Sequence, residues 1–239
     1  MKFYDVNPLS PEWRQLRLGR ATASNFHRII TPRTMKPSSQ STAYRNQLLG
    51  EWVTGQEIES YQSDWMQRGQ EVEDKIWKSY ESYAEVETSR GGFFTDDSGL
   101  IGCSPDRLVG TSGDLEAKAP MIHTQISYAL DGLSDDYKCQ VQGRMMIHGR
   151  EWVDLFTWHP NLFIPPIRVY RDEKFISAFR PILDQFIGEL LDARLRLERD
   201  FGPFIRTEPA DEPPADDRFG VTEADVEMIL EAQRSGNVR

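Results

Sequence analysis

Residues 105–118 read Pro-Asp-Arg-Leu-Val-Gly-Thr-Ser-Gly-Asp-Leu-Glu-Ala-Lys, with two short runs of strand-forming residues on either side of a glycine- and serine-rich turn. This pattern predicts two strands joined by a tight turn. Side chains two residues apart project from the same face of a strand, so Glu116 and Lys118 are expected to point the same way. A hairpin would bring Asp106 beside them.

The side chains of this predicted hairpin suit two kinds of chemistry. Two carboxylates and one ammonium group around a small space fit a hard cation with oxygen ligands. They also fit a water molecule held for attack on a phosphate group. A surface hairpin with a solvated ion pair would use the same residues, and the short pattern alone favours that interpretation. The rest of the sequence is therefore needed to distinguish a catalytic hairpin from a solvated surface hairpin.

The composition is that of a soluble globular protein with one large domain. The chain has 239 residues, of which 38% are hydrophobic, and it can bury a substantial core. No apolar run approaches the ~18 residues of a membrane span, and the N-terminus lacks an apolar signal-peptide core. Only Cys103 and Cys139 occur, which is too few for a disulfide framework or a four-cysteine cluster. We therefore expect a cytoplasmic protein.

The charge of the chain is unevenly distributed, although its net value is −10. Residues 1–50 carry eight Lys and Arg against two acids, whereas residues 203–239 carry four Arg against nine acids. The basic segment can bind a polyanion locally despite the acidic body. The acidic, proline-rich end predicts a linker or tail followed by a short helix. The predicted organisation is thus one domain over residues 1–202 and an appended segment over residues 203–239.

Sequence patterns predict an α/β (α+β) fold in which helices flank a central sheet. Among the histidines, His27, His148 and His159 are interpreted as ordinary, because no pair has the spacing of a metal-binding helix motif. A polar, basic loop is predicted over residues 31–41. Helices are predicted over residues 10–19, 22–30, 42–53, 63–84, 136–148 and 173–198, and strands over residues 91–94, 100–103, 107–109, 114–117, 151–158 and 166–170.

Five segments then occur in one order along the chain. They are residues 13–24 (Trp-Arg-Gln-Leu-Arg-Leu-Gly-Arg-Ala-Thr-Ala-Ser), residues 68–73 (Arg-Gly-Gln-Glu-Val-Glu), residues 102–106 (Gly-Cys-Ser-Pro-Asp), residues 115–118 (Leu-Glu-Ala-Lys) and residues 137–142 (Tyr-Lys-Cys-Gln-Val-Gln). Together they resemble the phage lambda-type exonucleases, the YqaJ-like viral recombinases of the PD-(D/E)xK nuclease superfamily. The resemblance extends over most of residues 10–200.

The resemblance implies a restriction-endonuclease-like fold with a central mixed sheet flanked by helices. It implies an Mg²⁺-dependent exonuclease, with Mn²⁺ as a possible substitute, that degrades one strand of linear double-stranded DNA from the 5′ end to mononucleotides. The remaining 3′ single strand would serve annealing-type DNA recombination. A homotrimeric ring, a single-strand annealing protein as partner and the cytoplasm of a phage host cell are implied as well. Another endonuclease or resolvase of the superfamily, or a catalytically silent protein that binds DNA ends, remains the alternative.

The resemblance also assigns catalytic roles to individual residues. Asp106 and Glu116 would hold the metal ion together with the backbone carbonyl of Ala117, and Glu73 would complete the ligand set directly or through water. Lys118 would orient the attacking water and offset charge on phosphorus. Gln140 would contact that water or the scissile phosphate. Tyr137 is a further candidate, for which structural packing is an equal explanation.

Contacts with DNA are assigned in the same way. Arg17, Ser24 and Ser104 match a pocket for the terminal 5′-phosphate, in which Arg would form charge-assisted bonds. The family has a further Arg where this chain has Thr124, so His123 or an Arg elsewhere would have to replace it.

Two more positions match DNA-contacting residues of the family. Arg33 lies in the polar loop, and Met66 falls where the family inserts an apolar wedge between the last paired bases. The ordinary alternatives are a solvated loop arginine and a core methionine.

Overall fold

The computed structural model describes residues 1–58 and 75–204, without the side chain of Asp136. The helices are α1 (Pro11–Arg17), a 3₁₀ helix (Ala23–Arg28), α2 (Ser41–Thr54), α3 (residues 75–84), α4 (Ile122–Asp131), α5 (Asp136–His148) and α6 (Glu173–Phe201). The strands are β1 (Lys2–Tyr4), β2 (Ala21–Thr22), β3 (Ile30–Thr31), β4 (Lys36–Pro37), β5 (Thr88–Arg90), β6 (Phe93–Thr95), β7 (Ile101–Cys103), β8 (Arg107–Val109), β9 (Gly113–Lys118), β10 (Trp152–Thr157) and β11 (Ile167–Tyr170).

The strands form two mixed sheets and a small hairpin. The five-stranded sheet has the order β11-β10-β9-β8-β5, in which β9 and β10 are parallel and the other pairs antiparallel. The four-stranded sheet has the order β1-β6-β7-β2 and contains one parallel pair, β2 with β7. Strands β3 and β4 pair only with each other. This architecture confirms the predicted α+β class with a mixed sheet, and it adds a second sheet that the sequence patterns do not predict.

Helices α3 and α5 cover opposite faces of the five-stranded sheet. Val153 and Leu155 of β10 pack against α5, whereas Phe156 packs against α3. The alternation of side chains along β10 accounts for this division. The other side of α5 contacts β6, β7 and the 3₁₀ helix of the four-stranded layer. Helix α5 therefore lies between the two sheets, and its side chains can reach β9.

Most predicted elements are present with boundaries shifted by a few residues. The helix predicted over residues 136–148 is α5, and those over residues 42–53 and 173–198 are α2 and α6. Ser10 caps α1 as predicted, because its hydroxyl accepts a hydrogen bond from the Trp13 amide at 3.2 Å. Of the helix predicted over residues 63–84, only residues 75–84 lie within the described part, and they are helical.

The helix predicted over residues 22–30 is present only as a shorter 3₁₀ helix, Ala23–Arg28. Residues 21–22 form β2 instead, a 3₁₀ helix follows, and residues 30–31 form β3. The cause is tertiary: β2 pairs in parallel with β7, and Tyr44 Oη accepts the Thr22 amide at 3.1 Å. Helix α4 was not predicted at all, nor was β1. None of the helices within residues 1–58 and 75–204 is both long and apolar enough to cross a bilayer.

Candidate active site

The predicted hairpin forms and places Asp106 next to the second strand. Strands β8 and β9 are antiparallel, and Arg107 lies opposite Leu115. Asp106 directly precedes β8, and its Oδ2 accepts a hydrogen bond from the backbone amide of Ala117 at 2.7 Å. Gly91 permits this arrangement, since a Cβ at that position would lie 1.7 Å from the Pro105 carbonyl oxygen. The Pro-Asp loop therefore lies close against the Gly91 backbone.

Glu116 is the centre of the site. Its Oε1 accepts a hydrogen bond from Gln140 Nε2 at 2.9 Å and also forms an ion pair with Lys118 Nζ. Glu116 is 2% exposed, whereas the Lys118 side chain is 38% exposed. The structure thus brings together four of the residues singled out from the sequence, namely Asp106, Glu116, Lys118 and Gln140.

The charges in this space shift one another's protonation equilibria. Burial, and then the charge of Glu116, raise the pKa of Asp106 to about 7. Burial also acts to raise the pKa of Glu116, but the charges of Lys118 and Arg144 outweigh it and lower that pKa. Burial opposes the charge of Lys118, yet Glu116 and Asp106 raise its pKa. In the metal-free protein at neutral pH, Glu116 is therefore ionised and Lys118 is a cation that can donate hydrogen bonds.

A buried polar cluster behind Glu116 was missed from the sequence. Arg144 Nη1 donates to Glu116 Oε2, and its Nη2 donates to Asp114 Oδ1 at 2.5 Å. The other oxygen of Asp114 lies 2.6 Å from His148 Nε2. The spacing in the sequence could have indicated this cluster. Gln140, Arg144 and His148 are four residues apart on a helix, and Asp114 is two residues before Glu116 on a strand, so each set lies on one face. His148, interpreted as ordinary, belongs to this cluster.

The residues assigned to a 5′-phosphate pocket also lie near one another. Ser24 and Ser104 each lie shortly after one strand of the parallel pair β2 and β7, so they are at the same edge of the sheet. Ser104 Oγ accepts from Trp13 Nε1 at 2.9 Å and donates to the Gly92 carbonyl at 2.7 Å. The Arg17 guanidinium carbon stacks 4.3 Å from the centroid of the Trp13 ring. The hydroxyl of Ser104 is thus already engaged within the protein, and a phosphate would have to share it.

The remaining assigned residues have more scattered positions. Arg33 is exposed between β3 and β4 and faces Asp135 at 3.4 Å. Thr124 is half-buried in α4. The Tyr137 ring centroid is 6.0 Å from Lys118 Nζ, and Tyr137 Oη lies 3.3 Å from the hydroxyl of Tyr128. Glu73 and Met66 lie outside the described residues.

An open cleft of about 450 Å³ lies beside Asp106. Its lining includes Asp106 and three basic side chains, those of Lys78, Arg90 and Arg107, together with Trp77. Within residues 1–58 and 75–204, no three His, Cys, Asp or Glu side chains are grouped closely enough to hold a metal ion. Asp106 and Glu116 nevertheless supply two of the oxygen donors that Mg²⁺ prefers. The described donor set fits such an ion in part, with Glu73 as the assigned third carboxylate.

Comparison with known proteins identifies similar chains. The sequence model of the YqaJ-like viral recombinase domain matches residues 12–151. No curated protein resembles the chain closely enough in sequence to count as a relative.

Two similar solved structures are those of an alkaline exonuclease (LHK-Exo) from Laribacter hongkongensis and of LHK-Exo in complex with dAMP. They are 26% and 28% identical to this chain, with TM-scores of 0.72 and 0.71, and each alignment covers 80% of this chain and 97% of the other. A phage related exonuclease from Haemophilus somnus 129PT has 14% identity and a TM-score of 0.53, over 73% of this chain and 96% of the other, and it shares the fold.

Proposed function

The chain belongs to the YqaJ-like viral recombinase domain family, and we propose that it is an Mg²⁺-dependent exonuclease that degrades one strand of linear double-stranded DNA from the 5′ end. The products would be mononucleotides and a 3′ single strand for annealing-type recombination. The observation that carries this proposal is the convergence of Asp106, Glu116, Lys118 and Gln140 at one end of β9. The likeness to a chain described as an alkaline exonuclease supports it.

The side chains of the site have different roles in the proposed reaction. Asp106 and Glu116 would hold the metal ion with the Ala117 carbonyl, and Glu73 would complete the set. A bound Mg²⁺ ion would supply Lewis-acid activation of a phosphoryl oxygen and of a water molecule. Lys118 is protonated beside Glu116. It would therefore hold the attacking water by donating a hydrogen bond and would offset the charge that develops on phosphorus.

The cleft beside Asp106 suits a nucleic-acid strand. Its wall carries the basic side chains of Lys78, Arg90 and Arg107 against the one further carboxylate of Glu81, so it can attract phosphate groups, and Trp77 offers an aromatic surface. Arg90 also faces Asp5 at 3.4 Å. Arg17, Ser24 and Ser104 would bind the 5′-phosphate that sets the polarity. Arg33 and Met66 would contact the duplex. Mn²⁺ is expected to replace Mg²⁺, because both ions accept carboxylate oxygen ligands.

One assay tests activity, polarity and end dependence together. Linear duplex DNA carrying a label at the 5′ or the 3′ end is incubated with the protein and Mg²⁺. We expect the 5′ label to be released first as a mononucleotide, closed circular duplex to be untouched, and Glu116→Ala to release nothing while remaining folded. Cleavage of the closed circle would instead indicate an endonuclease or resolvase. Binding of duplex ends without nucleotide release would indicate a catalytically silent protein.

A further inference from the structure

Five buried or half-buried side chains form a ladder between α5 and β9. Gln140, Arg144 and His148 lie four residues apart on α5, and Asp114 and Glu116 lie two residues apart on β9. Gln140 binds Glu116, Arg144 binds both carboxylates, and His148 binds Asp114. The side chains of Arg144, Asp114 and His148 are at most 1% exposed. The ladder leads from the interior of the protein directly to Glu116.

At the end of the ladder farthest from Glu116, the position of the His148 ring proton is defined. His148 Nδ1 accepts the backbone amide of Arg150 at 3.1 Å, so the ring proton lies on Nε2. Nε2 then donates to Asp114 Oδ2. Asp114 Oδ1 is left to accept from Arg144 Nη2, which fixes the plane of the guanidinium group. In this plane Nη1 reaches Glu116 Oε2, and Glu116 Oε1 is on the side of Lys118 and Gln140.

This arrangement is poorly suited to stability alone. Arg144 Nε is buried and has no hydrogen-bond partner among the described residues, and burying such a group without a partner destabilises the folded state. Apolar residues of similar volume often stabilise a core as well as a buried ion network does. The geometry of the ladder does, however, restrain the one carboxylate that also contacts Lys118. A role in orienting Glu116 explains the contacts of Arg144 better than a role in packing.

We propose that Arg144, held in plane by Asp114 and His148, is a positioning residue that fixes the Glu116 carboxylate so that Oε1 faces the catalytic cation. This inference rests on the proposed function and assigns the site three residues beyond those expected from the sequence. Arg144 acts through Glu116 and does not touch the DNA. Loss of the Arg144 contacts should therefore lower the affinity for the cation. It should not act solely by lowering the reaction rate at saturating metal.

The test compares two ladder variants with a matched control in the full chain. Arg144→Lys keeps the positive charge but lacks the planar fork that holds two carboxylates, and Asp114→Asn removes the acceptor that orients Arg144. Asp154→Asn is the control: Asp154 is also buried, pairs with Arg168 and accepts from the Tyr80 hydroxyl, but it projects from the opposite face of the sheet. Mn²⁺ binding is measured by titration calorimetry, Mg²⁺ dependence by nuclease assay, and folding by thermal unfolding.

We expect the Mn²⁺ dissociation constant and the half-saturating Mg²⁺ concentration to rise about 10- to 100-fold in both ladder variants. Asp154→Asn should lower the unfolding temperature while leaving both metal constants unchanged. If folded ladder variants bind Mn²⁺ like the wild type, or if the control weakens binding equally, the inference is wrong. Should one ladder variant fail to fold, the other decides. A wild type that neither binds Mn²⁺ nor digests DNA would instead overturn the proposed function.

Discussion

The carboxylates of Asp106 and Glu116 lie in one partly buried space, but their negative charges are compensated to different degrees. Glu116 is surrounded by the donors of Lys118, Gln140 and Arg144, so its negative charge is compensated. Among the described residues, Asp106 accepts a backbone hydrogen bond from Ala117, and it faces the charge of Glu116. A bound divalent cation would relieve this repulsion. Without metal, Asp106 is therefore expected to cost the folded state stability at alkaline pH.

We predict that Asp106→Asn is more stable than the wild type at pH 8 in the presence of a chelator. The folded-state pKa of Asp106 is raised from 3.8 to about 7. Between these values the folded protein holds a proton that the unfolded chain releases, so stability falls as the pH rises and the cost is complete above about pH 7. Thermal unfolding from pH 5 to pH 8 should show the advantage of Asp106→Asn growing with pH.

Added Mg²⁺ supplies the control for this prediction. It should raise the unfolding temperature of the wild type by binding the folded state, and it should raise that of Asp106→Asn far less. Equal pH profiles for the two proteins, or equal shifts with Mg²⁺, would show that Asp106 carries no such repulsion.

Individual residues differ in how far the sequence could predict their positions. Spacing of two on a strand was enough to predict that Glu116 and Lys118 project together, and the hairpin was enough to bring Asp106 near. The role of Arg144 was not predicted, because nothing in a single helix shows which strand it faces. The contact of His148 was not predicted for the same reason, since its partner Asp114 is 34 positions away in the sequence.

At the scale of elements, the described part of α3 is held on the five-stranded sheet by apolar packing, by hydrogen bonds from Thr88 to Glu81 and by a buried hydrogen bond from Tyr80. Tyr80 Oη donates to Asp154 Oδ2 at 2.7 Å, and Arg168 holds the same carboxylate with two bonds of 2.8 Å. Burial, and then this bond to Asp154, raise the pKa of Tyr80, so the hydroxyl stays protonated and donates. The bond helps to hold α3 over the face of the sheet opposite α5.

We predict that Tyr80→Phe lowers the free energy of unfolding by about 1–3 kcal/mol, because a hydrogen bond to a charged, buried acceptor is lost. Denaturant-induced unfolding measures the change. Tyr83→Phe is the matched control in the same helix: Tyr83 is 53% exposed and stacks on Phe163 through its ring, which the substitution keeps. Its unfolding free energy should change by less than about 0.5 kcal/mol. Equal effects of the two substitutions would contradict the assigned anchor.

The elements predicted most accurately are those whose secondary structure is determined by their local sequence. Helix α5 has the predicted bounds, and α6 has a capping Asp172 and a long apolar stripe. The helix predicted over residues 22–30 is shortened to a 3₁₀ helix, because Thr22 pairs with β7 before it and Ile30 pairs with β4 after it. The four-stranded sheet could not be predicted, since β1 and β2 are only three and two residues long and gain their order from partners far along the chain.

At the scale of the whole molecule, an acidic protein presents basic residues where DNA is expected. The net charge is −10, but Lys78, Arg90 and Arg107 line the cleft at Asp106. The acidic segment of residues 203–239 is predicted to lie outside the catalytic domain. Electrostatic attraction to DNA should therefore be local, and salt should weaken duplex binding strongly.

We predict that the protein is a homotrimer in solution, as the family resemblance implies. Helix α4 exposes Ile122, Ile126 and Leu130 at intervals of four residues, and contiguous apolar surface of this kind is typical of interaction sites. With a subunit of 27.6 kDa, light scattering coupled to size exclusion should give a mass of about three subunits. A mass of one subunit across the micromolar range would contradict the trimer.

The central claim is that Asp106 and Glu116 together bind the cation required for DNA hydrolysis. Crystals of the wild-type protein soaked in Mn²⁺ test it most directly, because anomalous scattering locates the ion without reference to activity. We expect a peak between the two carboxylates, within coordination distance of both, and no peak in crystals of Asp106→Asn. A wild-type peak elsewhere in the molecule, or none at all in protein that digests duplex DNA, would contradict the account.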